Sequence, residues 1–299
     1  MPKVVSAAVP LALFHPVVAE WFRAEVGEPT GTQTLAWPVI ADGEHVLVTA
    51  PTGSGKTLTA FLWALDRLLT GAWSSGRPRV LYVSPLRALN NDIQRNLLGP
   101  LAALEARLAA AGESPASVRV LTRSGDTPQA ERQRMLRQPP EILITTPESL
   151  NILLTSNGGR SILGGVECVI LDEIHAVAGG KRGTHLITAV DRLVRLAGEF
   201  QRIALSATIR PPARVARFVG GFELTGRGET IGYRPRAVRV IRSDETKRYD
   251  LAVRVPPGLS SLEARVETSS TPTTVPPEAP DRVGARHGAA QDARVDLRE

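Results

Sequence analysis

The chain has 299 residues, room for one large or two ordinary domains, and 42% of them are hydrophobic, so a sizeable buried core is expected. Its net charge is +6 with Arg far outnumbering Lys, which suits a polyanionic partner, although a G+C-rich genome would give the same bias. No apolar run approaches the roughly 18 residues of a bilayer span, no signal peptide is evident, and the lone Cys168 excludes an intramolecular disulfide, so a reducing cytoplasm is expected.

Two short helices are expected first, over residues 11–42. Leu13, Phe14, Val17, Val18, Trp21 and Phe22 recur at helical spacing in one, and Gln33, Leu35, Trp37 and Ile40 lie in the other. Gly27-Glu28-Pro29-Thr30 breaks the chain between them, and residues 1–44 make up this N-terminal segment. Then comes HVLVTAPTGSGKT, from His45 to Thr57. A β-branched apolar run enters a Gly-rich turn that ends in Lys-Thr, and an amphipathic helix follows through Leu58, Phe61, Leu62, Leu65, Leu68 and Leu69. Strand, loop and helix together are the context of a phosphate-binding loop. Across Thr52, Gly53, Ser54 and Gly55 the backbone can curl until its N–H groups face phosphate oxygens, and the helix N-terminus adds partial positive charge there. Lys56 is expected to reach the outer phosphates and the Thr57 hydroxyl to ligate Mg²⁺. Ala50 stands where the general pattern G-x-x-x-x-G-K-[ST] has its first Gly.

From there strands and helices alternate, which predicts an α/β fold with a central parallel sheet. The candidate strands, 46–49, 79–84, 118–121, 142–145, 168–171 and 202–205, are short and apolar, as strands covered on both faces should be. Leu186, Val190, Leu193 and Ala197 give a later helix its inner face, and Pro211 and Pro212 suit the first turn of a helix running to about Phe218. Cys168 sits in the apolar pattern of its strand, so an inert buried thiol is expected. After Gly220 the alternation ends; 237–241 and 251–255 alternate like a strand pair, and 256–299, without an aromatic residue, is expected to be disordered.

A second chemical station is Val169-Ile170-Leu171-Asp172-Glu173-Ile174-His175, an apolar strand ending in two acids. A parallel sheet binds ligands at the carboxyl ends of its strands, so the pair would lie beside the phosphate loop, Asp172 holding Mg²⁺ through water and Glu173 orienting the attacking water. Two acids at a strand end also occur in ordinary turns; the loop upstream is what gives them meaning. Leu205-Ser206-Ala207-Thr208 ends the next strand, where Ser206 and Thr208 can hydrogen-bond the acids and relay nucleotide state; a helix cap ahead of Pro211 accounts for them as well.

APTGSGKT, DEIH and SAT, in that order, resemble motifs I, II and III of superfamily 2 nucleic-acid helicases, with His175 in the fourth place of the second. GEPTGTQ resembles the adenine-reading Q motif, which implies that Gln33 bonds the adenine edge, with Phe14 packed nearby. SPLRALNND (84–92), SGD (124–126) and TTPESL (145–150) resemble the loops that hold one strand's sugar-phosphate backbone. The resemblance implies contacts from Pro85, Arg87, Gly125, Thr146, Pro147 and Ser149 to single-stranded nucleic acid, without reading its sequence. FHP, SGDTPQAERQRML and DEIHAVAGGKRGTHL are similar, more closely, to the large helicase-related family of bacteria and archaea, whose lineage is DNA-directed; an RNA-directed member is the rival.

The resemblance implies a RecA-like ATP-binding domain over 11–235, a connecting strand pair over 236–255 and a loose tail. It also implies a second RecA-like domain, in cis or in trans, supplying arginines from a Q-x-x-G-R-x-G-R stretch that this sequence lacks. The chain is therefore expected to be a truncated, frameshifted or split product that binds Mg-ATP and a nucleic-acid strand but does not unwind alone. A nucleotide-binding module without turnover is the alternative. A small-molecule kinase is opposed by the Q-like, DEIH and SAT stretches together.

Overall fold

A computed structural model describes residues 10–51, 53–207, 209–226 and 230–242. A short 3₁₀ turn (Pro10–Leu13) leads into α1 (Pro16–Glu25) and α2 (Gly31–Ala41). Alternation follows: β1 (His45–Thr49), α3 (Lys56–Leu69), β2 (Val80–Val83), α4 (Arg87–Ala110), β3 (Val120–Arg123), α5 (Gln129–Arg137) and β4 (Ile142–Thr145). Then come α6 (Pro147–Thr155), α7 (Asn157–Leu163), β5 (Cys168–Leu171), α8 (Lys181–Ala197), β6 (Gln201–Ser206) and α9 (Pro212–Gly220). The described chain ends with β7 (Phe222–Thr225), β8 (Gly232–Pro235) and β9 (Val238–Arg242).

Seven strands form one parallel sheet in the order β3-β4-β2-β5-β6-β1-β9. Parallel strands need crossover helices, and those helices cover both faces. Alternate strand residues divide between two apolar layers, as the two-residue period of a strand requires. Val46, Val48, Tyr82 and Ile170 face the layer of α1 to α4, whereas Leu47, Leu81, Leu171 and Ala204 face that of α5 to α9. The two N-terminal helices close the first layer through Phe14, whose ring meets Trp37 edge-on at 4.9 Å and Trp63 at 5.9 Å. Phe14 is thus a core residue and not a lining of the expected base site.

The structure departs from the sequence reading after α9. Residues 238–242 do alternate, but they join the main sheet beside β1, with His45 opposite Val238 and Thr49 opposite Arg242. They pair with β1 because Arg236 anchors their approach: its guanidinium forks onto Glu199 and donates to the Gly220 and Phe222 carbonyls. The proposed partner, 251–255, and the tail at 256–299 lie outside the described residues. A separate antiparallel pair is formed by β7 with β8, Phe222 opposite Pro235. Its Phe222, Leu224 and Tyr233 are exposed, so no buried face advertised it in the sequence. The strand expected at 118–121 forms two residues later, at Val120–Arg123.

Candidate functional site

Apart from the Q-like stretch at the start of α2, every motif sits at the carboxyl end of a strand, and all these strands are parallel, so these motifs lie along one edge of the sheet. Strand order then sorts them. The loops after β3, β4 and β2, which carry SGD, TTPES and SPLR, are neighbours on one half. The loops after β5, β6 and β1, which carry DEIH, SAT and the Gly-rich turn, are neighbours on the other.

The Gly-rich turn owes its shape to Gly53 (φ 76°) and Gly55 (φ 79°), both left-handed, a region open to glycine without strain. Gly55 is the N-cap of α3, and a Cβ there would come 2.8 Å from Nε2 of Gln33. Lys56 Nζ donates to the carbonyls of Ala50 (2.6 Å) and Pro51 (2.7 Å), so the ammonium lies over the turn. The Ser54 hydroxyl is buried and has no bonding partner. Thr52 lies outside the described residues. The turn borders a cavity of about 370 Å³, lined by Gly53, Gly55, Lys56, Thr57, Asp172 and Glu173, with an apolar wall from α3 and α4.

Gln33 is 2% exposed. Its Oε1 accepts from the Thr30 N–H at 2.9 Å, while the Thr30 hydroxyl accepts from the Gln33 N–H at 3.3 Å. This is a reciprocal capping box at the start of α2. The Thr30 hydroxyl also donates to the Ser54 carbonyl, tying that helix to the turn. Only the Nε2 side of Gln33 is left to meet a base. The T-x-x-Q spacing could have revealed the cap.

Asp172 is 4% exposed, and both its oxygens are engaged: Oδ2 accepts from Tyr82 Oη at 2.5 Å, and Oδ1 from the Glu173 N–H at 2.7 Å. Burial pushes its pKa up, a rise opposed by the Tyr82 hydrogen bond and by the Lys56 charge. Burial, then the Asp172 charge, pushes the Tyr82 phenol up, so it remains a donor. Glu173 has φ 48°, the only left-handed non-glycine among the described residues, a rare conformation that concentrates at functional sites. Its carboxylate lies 3.2 Å from His175 Nδ1, which also faces the Ala207 N–H at 3.3 Å, linking the loops after β5 and β6. Ser206 is buried with its hydroxyl unpartnered, and Thr208 lies outside the described residues.

Among the described residues no three His, Cys, Asp or Glu side chains cluster as a metal cage. The buried Asp172 carboxylate and the Thr57 hydroxyl, on one cavity wall, are the oxygens that would hold a divalent ion completing its shell with phosphate and water, while the Lys56 ammonium would meet the phosphate. A divalent ion would also relieve the desolvation that raises Asp172.

On the other half, Pro85 is buried, and the Arg87 side chain lies outside what is described. Arg132 donates to the carbonyls of Gly125 (2.7 Å) and Thr127 (2.6 Å), and Arg123 donates to that of Ser124. These two arginines, which motif reading passed over, fix the SGD loop by gathering its carbonyls. Thr146 and Ser149, both expected to contact a strand, are buried: Thr146 Oγ1 accepts from the Ser149 N–H as the N-cap of α6, and Ser149 is 1% exposed. Both are drawn in because α6 starts at Pro147 and its first turn needs an acceptor.

Comparison with known proteins follows the same outline. The sequence profile of the DEAD/DEAH box helicases matches residues 30–215. The Lhr helicase/uracil glycosylase of Escherichia coli is 49% identical over 217 residues, 70% of this chain and 14% of that protein. The ATP-dependent helicase Lhr-Core of Methanothermobacter thermautotrophicus is 48% identical over 224 residues, 74% of this chain and 26% of that protein. The structure of Mycobacterium smegmatis helicase Lhr bound to ssDNA and AMP-PNP superposes with a TM-score of 0.73 at 44% identity, covering 81% of this chain and 29% of that one. The chain thus spans between about a seventh and a third of these relatives.

Proposed function

Because the chain belongs to the DEAD/DEAH box helicase family, we propose that it is the first RecA-like motor domain of an ATP-dependent DNA helicase, and that it binds Mg-ATP and single-stranded DNA without unwinding alone. One observation carries the proposal: the Gly-rich turn after β1 and the acid pair after β5 line one cavity, with Lys56, Thr57, Asp172 and Glu173 all on its wall. Lys56 trades the Ala50 and Pro51 carbonyls for the outer phosphates. Thr57 and Asp172 hold Mg²⁺, whose charge offsets that of the phosphates. Glu173 orients water, assisted by His175, while Ser206 and Thr208 relay the state of the site. The base is read from the Nε2 side of Gln33.

The strand follows the loops after β2, β3 and β4. Backbone N–H groups at Gly125 and at the Pro147 helix start, together with Pro85 and Arg87, support it without reading bases. DNA is favoured over RNA by the 44%-identical Lhr structure, which is bound to ssDNA.

The described residues supply one wall of the nucleotide site. Arginines from a second RecA-like domain, in cis or in trans, would meet the charge that develops on the phosphoryl group; loss of such an arginine costs about 10³–10⁵ in rate. Without a second domain, closure on ATP has nothing to move against. The test is ATPase and strand-separation assays on this chain, with and without the second domain in trans. The expected result is very slow turnover alone, turnover restored by the added domain, and its loss again in Glu173→Gln. Robust unwinding by this chain alone would overturn the proposal.

A further inference from the structure

From Gln201 to Gly221 the chain carries four arginines and no Asp or Glu. Arg202 is fully buried, bonded to Asp191 and to the end of α9. The other three are exposed. α9 packs Val215, Ala216 and Val219 into the second apolar layer, against β6, β1 and β9, which turns Arg214 and Arg217, three residues apart, outward together. Arg210 is exposed just ahead of the first turn. In β9, Val238 and Val240 belong to the same layer, and strand alternation puts the exposed Arg242 on that face, at the end of the sheet where α9 begins. Among the described residues none of these four is paired with a carboxylate, whereas Arg234 and Arg239 nearby pair with Glu223 and Glu44. The dipole of α9 favours Arg217 in the last turn but opposes Arg214 in the first, where acids are preferred. A G+C-rich bias accounts for the number of arginines, not for their gathering on one face free of acids.

We propose that the outer side of α9 and the end of β9 form a second nucleic-acid surface, which holds the sugar-phosphate backbone of a DNA duplex through Arg210, Arg214, Arg217 and Arg242. This goes beyond the strand contacts of the proposed function. Those loops lie along the sheet edge after β2, β3 and β4, whereas α9 covers a face at β6, β1 and β9. Neighbouring strands stand about 4.8 Å apart, so β4 and β1, four places apart in the sheet, are separated by about 19 Å. A row of unpaired guanidiniums fits a polyanion, whose condensed counterions it displaces. Paired DNA is favoured over a single strand because unpaired bases are held by stacking on aromatic rings, and neither the exposed side of α9 nor β9 carries one. Phe218 is half-buried against the core. Arg214 and Arg217 stand about 4.5 Å apart along the helix axis, close to one phosphate step of about 3.4 Å along a duplex, and their flexible arms take up the difference. Such contacts position a duplex without reading its sequence.

The test is fluorescence anisotropy of the 299-residue chain with a labelled blunt duplex and, separately, a short labelled single strand, each over a salt series. The wild type is compared with the double variants Arg214→Gln/Arg217→Gln and Arg214→Lys/Arg217→Lys, with thermal midpoints as the control for folding. The inference expects the glutamine pair to weaken duplex binding about tenfold and to make its salt slope shallower by about 2, as for two lost phosphate contacts. The same variant is expected to bind the single strand as the wild type does. The lysine pair, which keeps both charges, is expected to hold duplex affinity within about threefold. A glutamine pair that binds the duplex like the wild type overturns the inference, as does one that loses both DNA forms equally. Displacement of the duplex by polyglutamate as readily as by unlabelled duplex also overturns it, in favour of an acidic protein partner. A wild type that binds the single strand but not the duplex overturns the inference and leaves the proposed function standing. One that binds the duplex but not the single strand removes the strand contacts of the proposed function and leaves the α9 surface standing.

Discussion

At the scale of single residues, the side chains that meet at the cavity were legible because local sequence dictates them. Gly53 and Gly55 are needed at positive φ, Lys56 and Thr57 follow them directly, and Asp172 and Glu173 end an apolar strand. Thr146 and Ser149 were expected to contact a strand, and the structure buries both, because a sequence does not say which way a capping side chain turns. Tyr82 was missed because a phenol in the run VLYV looks like any strand aromatic until Asp172 is placed beside it. Cys168 was read as inert, and burial pushes its thiol up to about 12, leaving almost no thiolate at neutral pH. A thiol reagent at pH 7.5 should therefore label the native chain at least about a hundredfold more slowly than the chain in denaturant. Comparable rates would mean that β5 is not buried.

At the scale of elements, the six alternating strands were legible from short apolar runs, and the seventh was not. Val238–Arg242 alternates, but nothing in it names β1 as its neighbour; the anchors are Arg236 and Arg202, which bond to the end of α9. His45 shares this junction, its Nδ1 accepting from the Arg202 N–H at 3.1 Å. Burial, then the charges of Arg202 and Arg236, hold its pKa below the ordinary 6.5. The unfolded chain then binds the proton more tightly, so this stability is present above pH 6.5 and is lost as pH falls through the lower, folded value. Urea midpoints taken from pH 7.5 down to 5 should fall more steeply for the wild type than for His45→Asn, which keeps an acceptor but takes no proton. Equal slopes would contradict this account. Gly183, in the first turn of α8, backs onto the turn that follows the acid pair; a Cβ there would stand 2.1 Å from the Val177 carbonyl. Gly183→Ala should cost about 1–3 kcal/mol in chemical denaturation, the usual range for overpacking. A neutral result would mean that the turn is free to shift.

At the scale of the whole molecule, the sequence could order the motifs along the chain but not across the sheet. Strand order β3-β4-β2-β5-β6-β1 divides one edge into a half that carries the SGD, TTPES and SPLR loops and a half that carries the DEIH, SAT and Gly-rich loops, an arrangement that depends on long-range pairing. On this account, DNA binding is electrostatic and indifferent to sequence. With three or four phosphates held, the logarithm of affinity should fall with the logarithm of salt at a slope of roughly −2 to −3. A flat salt dependence, or strong preference among oligonucleotides of one length, would remove the loops after β2, β3 and β4 from that role. The central claim is that the cavity between the Gly-rich turn and the acid pair takes Mg-ATP, and titration calorimetry with a non-hydrolysable ATP analogue in Mg²⁺ addresses it most directly. The account predicts one site on the wild type and no measurable binding to Lys56→Ala, with the thermal midpoint of the variant unchanged without ligand. Equal affinity of the two proteins, or no binding to the wild type at millimolar nucleotide, would contradict it.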